Sequence, residues 1–209
     1  MGNFIYPRTA ANISPDKSFY DYTLKTLEGE LYPLSSLKGK VVMITNVASK
    51  CGYSYKYYNQ MVRMHSVFAP FGFEILAIPS REFLRQEYLD PKDIRKAINS
   101  FNVEFPVMEL SNVNGENALD LINFLKFNTP ELYDRNKNEL KAISWNFSRF
   151  LVNKSGQVVA FRTTTTSPEE LIPKIAELLN VKNYQELLDK YDQDYPQTIE
   201  YQADTCSLN

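Results

Sequence analysis

Cys51 sits where a chain can make a sulfur reactive. The apolar run Val41-Val42-Met43-Ile44 leads into Asn46-Val47-Ala48-Ser49-Lys50-Cys51-Gly52, and a segment with helical spacing follows. A thiol at a strand-to-helix turn meets backbone N–H groups and the positive end of a helix dipole, both of which favour the thiolate. The thiolate is the nucleophilic form of cysteine. The one other cysteine, Cys206, lies close to the C-terminus. Two cysteines make no disulfide framework. A cytoplasmic, reducing location is therefore expected, and an activated cysteine there is catalytic rather than structural. The sole histidine, His65, falls within the helix after Cys51 and is expected to face solvent. One histidine with scattered carboxylates makes no metal site.

Composition narrows the classes. The 209 residues are 44% hydrophobic and 13% aromatic, enough for one good-sized core but not two full domains. Fourteen tyrosines and thirteen phenylalanines argue against disorder. A net charge of −2 gives no general attraction to nucleic acid or to an anionic membrane. No apolar run approaches the roughly 20 residues of a membrane span. The first residues, Met1-Gly2-Asn3-Phe4-Ile5-Tyr6-Pro7, lack the apolar core of a secretory signal. Tyr6 stands where an N-myristoylation signal wants Ser or Thr. Cys206-Ser207-Leu208-Asn209 has the length of a prenylation box, but asparagine is a poor last residue for one. Any membrane contact is expected to be transient at most.

The elements that position Cys51 follow from periodicity. Residues 1–17 read as an extended arm. Phe19–Thr26 and Glu30–Leu34 alternate around Glu28-Gly29, a hairpin signal. Val41–Val47 is a buried strand. Tyr57, Met61, Met64 and Phe68 recur at helical spacing. Pro70 and Gly72 end that helix, and Phe73–Ile78 is a second buried strand closed by Pro79. Strand, helix and strand of this length make a parallel βαβ unit. Asp90 and Pro91 open another helix as N-cap and first residue, with Ile94, Ala97, Ile98 and Phe101 on its apolar side. Phe105–Met108 is extended, Ala118–Phe127 is helical, and Asn128–Lys141 reads as a polar loop. Phe150–Val152 and Val158–Phe161 form a hairpin around Asn153-Lys154-Ser155-Gly156. Ser167-Pro168-Glu169-Glu170 is a capping box that starts a helix through Leu179. Asn183 starts a short last helix, and residues 192–209 are polar and loose. The order predicts an α/β chain with a mixed central sheet flanked by helices on both faces and an N-terminal β-hairpin. A cysteine after its central strand makes it thioredoxin-like.

Four ordered blocks are specific. Asn46-Val47-Ala48-Ser49-Lys50-Cys51-Gly52-Tyr53-Ser54 resembles the active-cysteine signature of the glutathione peroxidase family. Tyr20-Asp21-Tyr22 with Leu37-Lys38-Gly39-Lys40, Trp145-Asn146-Phe147-Ser148-Arg149-Phe150-Leu151-Val152, and Thr164-Thr165-Thr166-Ser167-Pro168 resemble three further blocks of that family in the same order. The resemblance spans about residues 17–180. It implies a thiol-dependent peroxidase that reduces hydrogen peroxide and organic or lipid hydroperoxides. Cys51 carries over as nucleophile, cycling through a sulfenic acid, with Trp145 and Asn146 as supporting donors. No cofactor is implied, and the reductant is glutathione or a thioredoxin-type thiol. The implied organisation is an arm over residues 1–17, a thioredoxin-like peroxidase domain over 18–180, and a helix and tail over 181–209. A short segment between Lys126 and Trp145 resembles the monomeric members with an open site.

The chain departs from the family in two places. Ile78-Pro79-Ser80-Arg81-Glu82-Phe83 puts Glu82 where the family has a supporting glutamine. An ionised carboxylate only accepts hydrogen bonds, and near a thiolate it repels, but a protonated Glu82 could donate and Arg81 or Arg85 could neutralise it, so Glu82 stands among the candidate catalytic residues. The downstream Gln86-Glu87 matches a later Gln-Glu of the family and is not obviously a displaced catalytic glutamine. Position 80, often cysteine in the family, is serine. No resolving cysteine stands near Ala97 and Ile98, which leaves Cys206 as the candidate resolving thiol. Two other readings compete with the peroxidase: a degenerate scaffold kept for binding or redox sensing, and thiol exchange at the Cys51-Gly52-Tyr53-Ser54 step.

Overall fold

A computed structural model describes residues 8–9, 13 and 16–196. Two residues of the N-terminal segment, Arg8–Thr9, form strand β1. Strands β2 (Thr23–Lys25) and β3 (Leu31–Pro33) make the N-terminal hairpin. Its strands are shorter than the alternation implies, because Phe19–Asp21 and Leu34–Leu37 are turns of 3₁₀ helix that fold their apolar residues inward.

The central strand β4 (Val41–Val47) is buried at all seven positions. After the Cys51 turn comes helix α1 (Ser54–Phe68), then strand β5 (Phe73–Pro79), which lies parallel to β4 as the βαβ pattern requires. Helix α2 (Pro91–Asn99) opens at Asp90, whose carboxylate accepts the Lys92 N–H at 2.8 Å. Helix α3 (Asp120–Phe127) follows.

The stretch expected to be a polar loop instead contains β6 (Tyr133–Asp134) and β7 (Glu139–Leu140). With β1 they make a small antiparallel sheet in the order β1-β7-β6. Strands of two residues carry no periodicity, and β1 comes from far away in the chain, so local sequence cannot announce them. Strands β8 (Arg149–Val152) and β9 (Val158–Arg162) form the late hairpin. Gly156 is required in its turn. The residue has a φ of +83°, and a Cβ there would lie 2.9 Å from the Tyr20 ring.

Ser167 and Glu170 close the capping box, and a 3₁₀ turn leads into α4 (Ile172–Leu179). Helix α5 (Tyr184–Asp194) ends the described structure and runs past the point where the sequence reads as loose. Asn183 makes no side-chain cap bond there.

The main sheet has the order β5-β4-β8-β9, with β4 and β8 antiparallel. Alternate residues of β4 supply two cores, as a strand's period of two dictates. Val41, Met43 and Val47 join the cluster formed with Tyr58, Met61 and Met64 of α1 and Ile175 of α4. Val42 and Ile44 join the opposite cluster with Leu121, Ile122 and Leu125 of α3. Cutting one such side chain back to alanine costs about 2–5 kcal/mol. Both faces of β4 are therefore pinned, and the turn that follows it inherits a fixed position. Helix α5 adds Leu188 to the α1 side, and Arg63 of α1 grips Asp192 through Nε and Nη2 at 2.6 and 2.5 Å.

Candidate active site

Cys51 lies where its position after the apolar run placed it, between the end of β4 and the start of α1. Its N–H donates to the Ala48 carbonyl at 3.3 Å. Its carbonyl accepts the Ser54 N–H at 2.9 Å and the Ser54 hydroxyl at 2.7 Å. The same hydroxyl lies 2.6 Å from Ala48 O, so its one proton is shared between the two carbonyls. Ser54 thus closes the loop onto the helix start. Cys51 is free and 6% exposed, at the edge of the larger apolar cluster.

The chain after β5 braces this loop from one side. Lys50 N–H donates to Gln86 O at 2.8 Å, and Ser49 N–H donates to Glu87 Oε2 at 3.0 Å. Glu87 is fully buried and also accepts the Tyr88 N–H at 2.8 Å. Burial pushes its carboxyl above the ordinary range, while those hydrogen bonds and Lys50 pull the other way. The Lys50 ammonium sits over the Tyr88 ring, 4.2 Å from its centroid.

The Trp145-Asn146 block approaches from β8. Asn46 of β4 holds it with both ends of its amide. Nδ2 donates to Trp145 O at 3.1 Å, and Oδ1 accepts the Ser148 N–H at 3.0 Å. The Trp145 ring is tilted against Phe83 with centroids 5.7 Å apart. Asn146 is fully buried, and its Nδ2 donates to Gln86 Oε1 at 2.9 Å. Its carbonyl accepts the Thr164 hydroxyl, and the Thr164 carbonyl accepts the Tyr57 hydroxyl at 2.8 Å. The Thr-rich block therefore ties the Asn146 backbone to α1. Burial lifts the Tyr57 hydroxyl above its ordinary range, against the pull of Arg149.

Glu82 has other partners. Its Oε2 accepts the N–H groups of Val113 at 2.5 Å and Asn114 at 3.1 Å, and the Ser80 hydroxyl at 3.4 Å. Burial raises its carboxyl, opposed by those bonds and by the Lys126 charge. The buried Lys126 ammonium donates to Val113 O at 2.5 Å and Asn114 Oδ1 at 2.8 Å. Asn114 in turn holds both backbone groups of Ile143. Glu82 thus anchors the segment that leads into Trp145.

His65 does not face solvent. Its Nε2 pairs with Glu74 at 2.9 Å, and its ring meets the Phe105 ring edge. The helix phase was legible, but the half-buried Glu74 carboxylate on the neighbouring strand was not. Cys206 lies outside the described residues. Among the described residues no three His, Cys, Asp or Glu side chains converge into a metal-holding set. No helix among them is long and apolar enough to cross a membrane. Sequence reasoning assigned no role to Asn46 or Arg149, and took Gln86-Glu87 only as a match to a later Gln-Glu of the family. For Asn46 and Arg149 the signal was a polar residue type inside or beside an apolar run.

The molecule is a thioredoxin-like domain with a thiol at the mouth of its first helix. A thioredoxin-family thiol:disulfide interchange protein from Chlorobium tepidum shares this fold at a TM-score of 0.56 and 18% identity, covering 81% of this chain and 98% of that one. The glutathione peroxidase family model matches residues 19–126. The "Probable glutathione peroxidase 3, mitochondrial" of Arabidopsis thaliana is 38% identical over 176 residues, covering 83% of this chain and 82% of that protein. A "Probable phospholipid hydroperoxide glutathione peroxidase" of Solanum lycopersicum is 38% identical over 173 residues, covering 82% and 99%. The crystal structure of T. cruzi GPX1 superposes with a TM-score of 0.62 at 32% identity, covering 78% of this chain and 97% of that one. This chain belongs to the glutathione peroxidase family, and its activity is the thiol-dependent reduction of hydroperoxides. The matches favour the enzyme over the binding-only scaffold.

Proposed function

We propose that Cys51 is the peroxidatic thiol, with Trp145 and Asn146 supporting the departing oxygen. The placement of Cys51 carries this reading: a free thiol between a buried strand and α1, in a loop braced by residues 86 and 87. The sulfur attacks the outer oxygen of a hydroperoxide. An S–O bond forms, the O–O bond breaks, and two electrons leave the sulfur. The alkoxide takes a proton and departs as an alcohol, or as water when the substrate is hydrogen peroxide. Cys51 is left as a sulfenic acid. Donors aimed at the developing oxyanion lower the barrier. The Trp145 indole N–H and an N–H of the Asn146 amide are suited to that work.

A reductant thiol then condenses with the sulfenic acid, releasing water and leaving a mixed disulfide. A second thiol displaces Cys51 and forms a disulfide with the first. Glutathione or a thioredoxin-type dithiol supplies both, and Cys206 is the candidate internal alternative. Glu82 serves as an anchor for Val113 and Asn114. The reading includes a monomer in a reducing compartment such as the cytoplasm, with at most transient contact to a membrane carrying oxidised lipid.

Stoichiometric peroxide followed by dimedone, with mass mapping of the adduct, tests the reading. Adduct on Cys51 that forms faster in the folded chain than in urea is the expected result. Equal rates in both states would remove the active site. Coupled assays with glutathione and with thioredoxin then identify the reductant.

A further inference from the structure

We infer that Gln86 is the positioning residue of this peroxide site, holding the Asn146 amide in one fixed plane. The inference deepens the proposed function and rests on Cys51 being the peroxidatic thiol.

Gln86 is the residue that bridges the thiol loop and the Trp145-Asn146 block. Its carbonyl accepts the Lys50 N–H at 2.8 Å, next to Cys51. Its side-chain Oε1 accepts Asn146 Nδ2 at 2.9 Å. It is delivered by a tight turn in which its N–H donates to Phe83 O at 3.1 Å. The two central residues, Leu84 and Arg85, have φ of +51° and +52°. Non-glycine side chains avoid that region, and such strain persists where the surroundings over-determine it and where function uses it.

Asn146 supplies a second, independent observation. It is fully buried, and its Oδ1 has no hydrogen-bond partner among the described residues. A buried acceptor left open calls for a donor from outside the chain. A hydroperoxide O–H is such a donor before the reaction, and the sulfenic acid O–H is one after it. Because Gln86 takes one Asn146 N–H, the amide plane is fixed. The open oxygen and the second N–H then have set directions. Without Gln86 the amide would be free to turn.

Glu82 is committed elsewhere. Its Oε2 accepts two backbone N–H groups beside the Lys126 ammonium. What a glutamine at residue 82 would lose is the negative charge beside Lys126, since all the bonds go to one oxygen. Residue 82 serves here as an acceptor and a charge, and Gln86 is the amide side chain that meets Asn146.

The full chain and three variants test this: Gln86→Leu, Gln86→Glu and Glu82→Gln. Stopped-flow oxidation by hydrogen peroxide is compared with iodoacetamide alkylation of Cys51 across pH, and a thermal melt checks folding. Alkylation reports thiolate and access, whereas the peroxide rate also needs the oxygen-handling groups. Gln86→Leu is expected to slow oxidation at least about tenfold while the alkylation profile barely moves. Gln86→Glu keeps an acceptor for Asn146, so its oxidation rate per alkylatable thiolate recovers above that of Gln86→Leu. Glu82→Gln lowers the melting temperature and does not raise the oxidation rate. Oxidation by Gln86→Leu at the wild-type rate, or a parallel fall in oxidation and alkylation, overturns the assignment alone. So does a Glu82→Gln chain faster than wild type. A wild-type chain inert to peroxide overturns the proposed function, and this assignment with it.

Discussion

Asn46 carries Trp145 on its side chain: Nδ2 donates to the Trp145 carbonyl at 3.1 Å while Oδ1 receives the Ser148 N–H at 3.0 Å. Its own carbonyl takes the Phe147 N–H at 2.6 Å. One buried asparagine on the strand that leads to Cys51 therefore sets the distance between that strand and the indole. Phe147 has a φ of +61°, so the backbone after Asn146 bends in a way that needs this support.

Asn46→Asp keeps an acceptor for Ser148 but turns a carboxylate oxygen toward the Trp145 carbonyl. Two acceptors then face each other in a buried place, a defect that costs about 1–3 kcal/mol. Urea unfolding measures the loss. The peroxide rate is expected to fall further than alkylation of Cys51 does, because the displaced group is the indole. A variant as stable and as fast as wild type would show that Trp145 is held by its ring contact with Phe83 alone.

Arg149 is a second buried polar group on which the site leans. Its guanidinium is fully buried and donates to Phe147 O at 2.6 Å, Thr163 O at 2.9 Å and Thr166 O at 2.6 Å. It lies over the Tyr57 ring at 5.4 Å. Burial draws its pKa down to about 10, still well above neutrality, so it stays charged there. Arg149→Met would strand three carbonyls, each a loss of about 1–3 kcal/mol, and is expected to destabilise the fold strongly. Arg149→Lys keeps the charge but loses the planar fork, so part of that loss remains, about 1–3 kcal/mol. Thermal and urea melts of both variants give the order. A lysine variant as unstable as the methionine variant would mean that geometry alone matters here, not charge.

The sequence announced what depends on local pattern. β4 and β5 read as strands because both faces are buried and the runs are continuously apolar. α1 read from Tyr57, Met61, Met64 and Phe68, and α2 from Asp90 and Pro91. The β1-β7-β6 sheet did not, since two-residue strands owe their existence to distant partners. At the candidate site, Cys51 was legible from its place after Val41–Val47. Trp145 and Asn146 were legible only through likeness to a family. Asn46 and Gln86 also fall in stretches like the family's, but their contacts were not legible, because each acts through hydrogen bonds to residues remote in sequence. Glu82 was visible as a departure, but its acceptor role depends on Val113 and Asn114, which no spacing connects to it.

The buried carboxyls make acid stability a sensitive probe of the brace behind Cys51. Burial raises Glu87 and Glu82 above their ordinary value of 4.5. A carboxyl whose folded pKa is raised binds its proton more readily folded than unfolded. Its contribution is complete below the unfolded value and is lost as pH rises through the folded one. Glu74 runs the opposite way. Burial works to raise it, but the His65 hydrogen bond and the charges of His65 and Lys40 bring it below its ordinary value. Its contribution is present above about pH 4.5 and is lost below. The melting temperature is therefore expected to hold or rise from about pH 7 to about pH 5, then to fall as Glu74 gains its proton. Glu87→Gln removes one of the two groups that favour the acid side. It also turns an amide nitrogen toward the N–H of Ser49 or Tyr88, so it should melt lower at every pH and lose part of the gain between pH 7 and 5. Wild type and variant losing stability in parallel from pH 7 downward would mean that Glu87 is ionised throughout. Its hold on Ser49 would then be that of a carboxylate, with no proton to release as the pH rises.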